Sequence, residues 1–318
     1  MYNAQLKKRF IKEFSDSEHV RESASYLFRS LEKFEEAEGK DLSAMDTDAL
    51  QRAVDHVSGF RARSVYLPVS ILKNYATWCM ENGVDGATDN VFRLRMPGIE
   101  KLRHSMLKNP KQLQRYLDDF LDPEDMQTAD NNLRAWYWLG YSGLTAEDAL
   151  TVKSDELDFS SMILKHNGNM YPIYRESVPA LRNCVELSQY RYVHPNYGED
   201  KVIFRDRWQG DELIRGLRGV QSIDYLRVEF SKRNKKALSE GKTDLNLSYK
   251  RVWMSGVFYR MYEDELAGFP VSFDEVTARR VGDKEFKLDS GRNTQQAKLD
   301  EISRQYRVDY ERWKQTLQ

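Results

Sequence analysis

The chain has 318 residues, of which 31% are charged and 40% hydrophobic, and its formal net charge is −1. This length allows two domains, and the composition is that of an ordinary globular protein. The sequence contains no apolar run of the ~18 residues that a membrane span needs, and its first residues lack the apolar core of a signal peptide. We therefore expect a cytoplasmic protein without a membrane segment.

Basic residues are concentrated in two stretches, although the net charge is close to zero. Residues 93–115 contain seven Lys or Arg and one acid, and residues 227–251 contain eight Lys or Arg and three acids. The acids are concentrated instead in 32–55 and 118–130. This segregation favours a protein that presents one face to nucleic-acid phosphates. For each single stretch, ordinary solvated surface is the alternative interpretation.

Cysteine and histidine usage argues against a disulfide and against a metal site. Cys79 and Cys184 lie in apolar helical patterns, and we predict that both are reduced core residues. No Cys/His cluster has zinc-ligand spacing, and no glycine-rich phosphate loop occurs. The sequence therefore predicts no metal and no cofactor. A metal-dependent nuclease is disfavoured, because no carboxylate pair stands out from the general acidic background.

Helical periodicity dominates the first ~100 residues. Apolar residues recur at helical spacing over 20–34, and Gly39 is predicted to end that helix. A second helix is predicted to follow a cap at 46–48, and a third to span 64–83. We interpret 93–108, which has no clear amphipathic period, as linker.

The remainder of the sequence mixes helices with a short β element. Asn109-Pro110 is predicted to begin a helix with Pro at its first position, and Asn167-Gly168 is predicted to be the turn of a β-hairpin. Other helices are predicted over 133–139, after a cap at Ser177, over 248–266 before Gly268, and from near Thr294. These elements predict a mainly α protein with a small β-sheet. We expect one domain over 1–97, a linker over 98–109 and a second domain over 110–318.

The stretch Tyr141–Leu150 carries the most specific motif. It consists of the end of a buried helix, then Ser142-Gly143-Leu144-Thr145, then the start of another helix. It resembles the T-G-L-R-x-x-E-L box of tyrosine recombinases, the phage integrases, in which the Arg clamps the scissile phosphate. Here that position is Thr145, for which we predict a capping interaction with Asp148.

The resemblance extends over most of the chain, with other catalytic positions changed. It implies a helical core-binding (SAM-like) N-terminal domain and a tyrosine-recombinase-like C-terminal domain. The lysine of the family's catalytic hairpin matches Lys165. The family's H-x-x-R box matches Ser248 to Arg251, with Ser248 in place of His and Arg251 as the second Arg. Asp283 stands where a His or Trp is expected.

The family's tyrosine nucleophile has no clear counterpart. The stretch after Asp283 contains no Tyr up to Asn293, and the next candidates are Tyr306 and Tyr310. Both belong to an apolar stripe at helical spacing, so packing is our preferred interpretation. Several lost transition-state contacts would remove useful turnover. Duplex binding, in contrast, rests on many Lys/Arg–phosphate contacts and survives such losses.

The resemblance therefore implies a sequence-specific binder of double-stranded operator DNA without catalysis. We expect a transcriptional repressor that keeps a prophage silent in a bacterial host, close to the nucleoid. Its two domains would close around the duplex, and Asn74, Asn167 or one of the arginines would read bases. The predicted DNA-binding residues are Arg61, Arg63, Ser64, Tyr66, Lys73, Arg93, Arg95, Lys101, Arg103, Lys165, Lys232, Arg233, Lys235, Lys236, Lys250 and Arg251.

Two alternatives remain open at the level of sequence. The chain is an active recombinase that uses Tyr306 or Tyr310, or it is a scaffold that uses the same fold for protein contacts. The terminal helix packs on its own domain or on a neighbouring subunit, and we favour the first. Release from DNA would need a regulatory partner, such as an antirepressor, that the sequence does not name.

Overall fold

A computed structural model describes residues 1–57, 63–95, 100–121, 130–193, 202–273 and 295–318. Within these ranges the side chains of 63–65, 100–101, 192–193 and 295–298 are not described. Contacts divide the chain into two units, one of Met1–Lys101 with Leu288–Arg312 and one of Leu102–Lys287 with Trp313–Gln318. The predicted domain boundaries stay a prediction, and each unit is described by itself below.

The N-terminal unit is built from helices, as the periodicity of its sequence predicts. Gly39 ends α3 with a φ of 62°, a left-handed conformation that glycine adopts without steric cost. The carboxylate of Asp46 accepts from the backbone N–H of Ala49 at 2.8 Å and so caps α4. The predicted helix over 20–34 is divided at Leu31 into two helices. The helices are α1 (Ala4–Phe14), α2 (Glu18–Ser30), α3 (Glu32–Glu38), α4 (Thr47–Val57) and α5 (Arg63–Glu81).

The core of this unit contains charges as well as apolar side chains. Lys7 of α1 and Glu35 of α3 are completely buried and form an ion pair. Lys7 also lies 3.6 Å from the carboxylate of Asp41, which accepts from the Tyr75 hydroxyl at 3.0 Å. Because buried charges are costly unless they are paired, this cluster fixes how α1, α3 and α5 meet.

The second unit contains most of the remaining helices. They are α7 (Pro110–Asp118), α8 (Asp130–Ser142), α9 (Asp148–Thr151), α10 (Val178–Glu186), α11 (Ile223–Ser239) and α12 (Tyr249–Leu266). The short helix α6 (Glu100–Arg103) lies at the division between the units, and α13 (Gln295–Gln315) is the last helix. The helices predicted before Gly268 and from near Thr294 are thus confirmed.

Helices α8 and α12 approach each other closely at the centre of the second unit. A Cβ built on Gly256 of α12 would lie 1.9 Å from the backbone oxygen of Tyr141, and a Cβ on Gly140 would lie 2.7 Å from the Tyr249 ring. Only glycine fits at either point. This contact positions the turn that follows α8, which contains Thr145.

Two small antiparallel sheets complete the described structure of this unit. Strands β1 (Leu157–Asp158), β2 (Ile163–His166) and β3 (Asn169–Pro172) pair in that order. Asn167 and Gly168 both have positive φ, 50° and 76°, as a type I′ turn requires, so the predicted hairpin is confirmed. Strands β4 (Gln189–Val193) and β5 (Val202–Asp206) form a separate two-stranded ribbon.

Several local predictions from the sequence need correction. The β4–β5 ribbon and the long helix α11 (Ile223–Ser239) were not predicted. The range predicted as linker, whose bounds stay a prediction, includes α6 and buried apolar residues such as Leu107. Ser177 does not cap α10 through its side chain, because its hydroxyl donates to the Tyr174 carbonyl at 2.7 Å.

Cys79 and Cys184 are both buried and free, as predicted. No helix in the described ranges has the length and the apolar character that a membrane crossing requires.

Candidate functional site

The turn that leads into α9 holds Thr145 at the position of the expected arginine. The Thr145 hydroxyl donates to the Asp148 carboxylate at 2.8 Å and accepts from the Asp148 backbone N–H at 3.1 Å. The predicted pairing of these two residues is therefore present, as a reciprocal cap of the turn. The functional groups of this side chain are used inside the turn.

Helix α12 holds the same turn from the other side. The Tyr249 hydroxyl donates to the carbonyls of Leu144 at 3.2 Å and Thr145 at 3.1 Å, and the Trp253 indole N–H donates to the Gly143 carbonyl at 2.9 Å. In the last turn of α8, the Tyr141 carbonyl accepts from the Arg260 guanidinium at 2.9 Å. These bonds give partners to the carbonyls of the last turn of α8 and of the residues that follow it. The box that resembles a catalytic motif is therefore a structural joint between α8 and α12.

Sequence reasoning missed these three anchoring residues. Tyr249, Trp253 and Arg260 are separated by four and seven positions, so they share one face of α12. That spacing was a usable signal, because three polar-tipped side chains on one helix face are expected to share a neighbour. The neighbour itself was not visible, since it lies about a hundred residues earlier in the sequence.

The β2–β3 hairpin presents Lys165 to solvent and buries His166. Lys165 is exposed, and its cross-strand partner Met170 is 72% exposed. The His166 ring, in contrast, bonds through Nδ1 to the Glu156 carboxylate at 2.9 Å and lies 3.2 Å from the Thr151 hydroxyl through Nε2. Successive strand residues point to opposite faces. The buried histidine thus attaches the hairpin to α9, while Lys165 points outward.

The start of α12 lies against the Thr145 turn through Tyr249, and it carries the second basic motif. Ser248 is the N-cap residue by position, although its side chain makes no capping bond. Lys250 is exposed. The Arg251 guanidinium donates to the Asn246 carbonyl, and burial lowers the pKa of Arg251 below its usual value. A helix N-terminus with exposed polar and basic groups is suited to phosphate.

Helix α11 provides a second exposed basic face. Lys232, Lys235 and Lys236 are exposed, whereas Asn234 is buried between them and accepts from the Tyr116 hydroxyl at 3.0 Å. Lys232 is within 2.8 Å of Glu229. Arg233 is different, because it pairs with Asp130 and so ties α11 to α8.

In the N-terminal unit, some of the predicted DNA-binding residues lie on α5 and others lie between α5 and α6. Tyr66 is 55% exposed on α5, and the Lys73 ammonium lies over the Phe92 ring at 5.6 Å. Arg93 is exposed and lies 3.7 Å from Asp89. The backbone N–H of Arg95 donates to Gln51 at 3.0 Å. Asn74, proposed as a base reader, donates to the Ser70 carbonyl of its own helix at 2.7 Å.

Some predicted positions lie outside the described part of the chain. Arg61 and Asp283 fall in ranges that are not described, and the same applies to the side chains of Arg63, Ser64 and Lys101. Arg103 is described and half-buried.

The two alternative nucleophiles lie on α13 and are not accessible. Tyr306 and Tyr310 are each 1% exposed, and Ile302 and Trp313 on the same helix are buried with them. The stripe that the sequence showed is therefore a packing surface. Neither hydroxyl is presented to a ligand in this structure.

Comparison with known protein families finds a match for the first quarter of the chain. Residues 1–81 match the family described as MrpR, N-terminal core-binding domain. The N-terminal helices therefore form a core-binding domain of the MrpR type, as the resemblance implied. The comparison with curated proteins gives no match.

The comparison with solved structures finds a recombinase and two integrases at low similarity. XerA recombinase is 13% identical, over 96% of this chain and 98% of that one, with a TM-score of 0.36. The Tn1549 transposon integrase in complex with circular intermediate DNA is 13% identical, over 84% and 87%, with a TM-score of 0.35. A lambda integrase tetramer bound to a Holliday junction is 10% identical, over 85% and 74%, with a TM-score of 0.33. Similarity at this level carries no argument about function.

The fold class predicted from the sequence is confirmed, a mainly α chain with small sheets and a core-binding N-terminal domain. The match to the MrpR core-binding domain extends over residues 1–81.

Proposed function

We propose that this protein is a sequence-specific, double-stranded DNA-binding transcriptional repressor that maintains prophage lysogeny and does not cut DNA. The sequence resemblance that motivates this proposal is to the master lysogeny repressor of SPβ-like Bacillus phages, and the match of residues 1–81 to the MrpR core-binding domain supports it. Repression would need occupancy only, because a protein bound across a promoter excludes polymerase. The proposed location is the cytoplasm of a bacterial host, on its nucleoid.

The observation that carries the absence of chemistry is the Thr145 turn. Stabilising the charge that builds on a scissile phosphate requires donors aimed at its oxygens. Thr145 uses its hydroxyl inside the turn, and the nearby Arg260 donates to the Tyr141 carbonyl. The candidate nucleophiles Tyr306 and Tyr310 are buried. The described site therefore supports binding better than cleavage.

The observation that supports DNA binding is the exposed basic set in the second unit. Lys165 on the hairpin, Lys250 at the start of α12 and Lys235 on α11 are all exposed. Lysines of this kind bind phosphates as point charges and release counterions, which gives salt-dependent affinity. In the N-terminal unit we propose a similar role for Tyr66, Lys73, Arg93 and the arginines near the start of α5.

The test is selection from fragmented genomic DNA of the source replicon, at low and at raised salt, with sequencing of the bound fragments. We expect enrichment of discrete sites next to promoters, and weaker binding at raised salt. The same samples, run on denaturing gels, should show no covalent protein–DNA adduct.

Each other outcome identifies a different function. An adduct that disappears in Tyr306→Phe or Tyr310→Phe would make the protein an active recombinase. Absence of enrichment at low salt would remove both DNA functions and favour a scaffold. A matched pair of variants refines the test. Lys250→Gln should weaken binding, whereas Lys153→Gln, an exposed lysine outside the basic set, should not.

A further inference from the structure

The second unit contains an open cavity between the end of α7 and the loop that precedes α12. Its volume is about 570 Å³, within the range of about 300–1,000 Å³ typical of small-molecule sites. Its floor is apolar, formed by the buried residues Tyr116 and Leu245. Its walls carry Arg115, Asp119, Lys242 and Asp244.

The charges of this cavity are balanced, and two of them have partners: Lys242 lies 2.8 Å from Glu240 and Asp244 lies 3.0 Å from His104. Arg115 and Asp119 lie one helical turn apart, yet no ion pair or hydrogen bond of the Arg115 side chain occurs among the described residues. Burial raises the pKa of the Asp119 carboxyl above its usual value, and the neighbouring Asp118 and Asp244 raise it further. Asp244 already lies 3.0 Å from the His104 ring nitrogen Nδ1, so a ligand ammonium would bind at Asp119, where it would relieve this repulsion. A carboxylate beside Arg115 would pair with a guanidinium that has no ion-pair partner within the described ranges.

The cavity is connected directly to the start of α12. The Tyr116 hydroxyl accepts from the Leu247 backbone N–H at 3.3 Å and donates to Asn234 at 3.0 Å. Asn234 in turn donates to the Asn246 side chain at 3.3 Å, and the Asn246 carbonyl accepts from Arg251. A ligand that displaces Tyr116 or Leu245 therefore acts on the backbone that positions Ser248, Lys250 and Arg251.

We propose that this cavity binds a small zwitterion of the α-amino-acid class and that its occupancy changes the affinity of the α12 N-terminus for DNA. Arg115 would bind the carboxylate, Asp119 would bind the ammonium, and the Tyr116 ring with Leu245 would contact the apolar part. The binding step stands on the cavity alone, whereas the regulatory step rests on the proposed function. An effector couples two sites only by binding their two states differently.

The binding step is tested on the full-length protein with the standard L-amino acids, each at millimolar concentration, by saturation-transfer NMR and then by calorimetry. We expect at least one to bind saturably with a stoichiometry of one. Its N-acetyl and its amide derivatives, which each lack one of the two charges, should bind about tenfold more weakly or not at all. Absence of saturable binding by any amino acid, or equal binding of the blocked derivatives, overturns the proposal.

Variants locate the site. Arg115→Gln and Asp119→Asn should each weaken binding about tenfold. Lys111→Gln, a change of an exposed residue on the same helix but outside the cavity, should leave binding unchanged. Equal thermal unfolding midpoints would exclude misfolding as the cause. Binding that persists in both cavity variants places the ligand elsewhere and contradicts the assignment.

The regulatory step is measured as DNA affinity with and without the bound amino acid. We expect a change of about fivefold or more, within the usual range of coupling between two sites, and no change in Arg115→Gln. DNA affinity that is unaffected by saturating ligand would leave the cavity as a binding site and remove its regulatory role. Ligand binding without any DNA binding would instead contradict the proposed function.

Discussion

The two units stabilise their cores by different means. In the N-terminal unit the buried Lys7–Glu35 pair, with Asp41 and Tyr75, joins helices through charge and hydrogen bonds. In the second unit α8 and α12 meet through glycine and aromatic rings, with Tyr249 and Trp136 centred 4.4 Å apart. The first arrangement depends on exact pairing, since an unpaired buried charge is costly. The second depends on shape, because close packing tolerates no added atom.

This difference determines how the functional regions respond to change. The Thr145 turn and the start of α12 depend on the close contact between α8 and α12. The pairing of α1 with α3 depends on a carboxylate that burial makes harder to ionise. Mutations and changes of pH should therefore affect the stability of the two units differently.

The largest expected effect is the loss of one charge from the N-terminal core. Lys7→Met leaves the Glu35 carboxylate buried without its partner, which should cost about 3–5 kcal/mol of unfolding free energy. The double variant Lys7→Met/Glu35→Leu should lose less than Lys7→Met alone. Chemical denaturation measures both, and hydrogen exchange should show the loss in α1 rather than in α12. If the loss in the double variant equals the sum of the losses in Lys7→Met and Glu35→Leu, the two residues do not interact.

Gly256→Ala should produce the largest loss in the second unit. Its Cβ would lie 1.9 Å from the Tyr141 carbonyl oxygen, so α8 and α12 must separate, at a cost of about 3 kcal/mol. Exchange protection should fall in α8 and α12 and stay unchanged in α1. Ser231→Ala, on the exposed face of α11, is the control and should change stability by less than about 0.5 kcal/mol. Unchanged stability in Gly256→Ala would contradict the close contact.

The pH dependence should be specific to the N-terminal unit. Burial raises the pKa of Glu35 from its usual 4.5 to about 7, so the folded state holds this proton more tightly than the unfolded state does. The stability contributed by the protonated form is complete below pH 4.5 and is lost as pH rises through about 7, by at most about 3 kcal/mol.

The measurement compares wild type with Glu35→Gln across this interval, with exchange in α1 as the local probe. The difference in stability between the two proteins should change with pH in that window. A constant difference would show that Glu35 does not titrate there.

A smaller loss is expected when the Thr145 turn loses one anchor. Tyr249→Phe removes the hydroxyl that donates to the Leu144 and Thr145 carbonyls and should cost about 1 kcal/mol. The ring still packs against Trp136, so the fold should persist. Thermal unfolding measures the loss. A change above about 3 kcal/mol would mean that the hydroxyl has a role beyond these two bonds.

Lys250→Gln should have the smallest effect on stability and a clear effect on DNA. The side chain is exposed at the start of α12, so the unfolding free energy should be unchanged. The slope of log affinity against log salt concentration should decrease by about 0.9, because one phosphate contact is lost. An unchanged slope would remove Lys250 from the proposed interface.

The sequence alone determined the features that depend on local chemistry. Helical periodicity, the stop at Gly39 and the Asn167-Gly168 turn follow from a few neighbouring residues, and the structure confirms each of them. The pairing of Thr145 with Asp148 was also predictable, because it joins residues three positions apart. The N-terminal core-binding domain was implied by the resemblance to tyrosine recombinases, and the family match over residues 1–81 agrees with it.

Only the tertiary structure decided what those local features contact. The Lys7–Glu35 pair, the anchors of the Thr145 turn on α12 and the cavity beside Tyr116 join residues that are distant in sequence. Amphipathic periodicity identifies the face of a helix that is buried but not the element that covers it. Whether a polar side chain such as Tyr249 or Arg233 binds a ligand or its own protein depends on that neighbour, which is set by the packing of the whole unit.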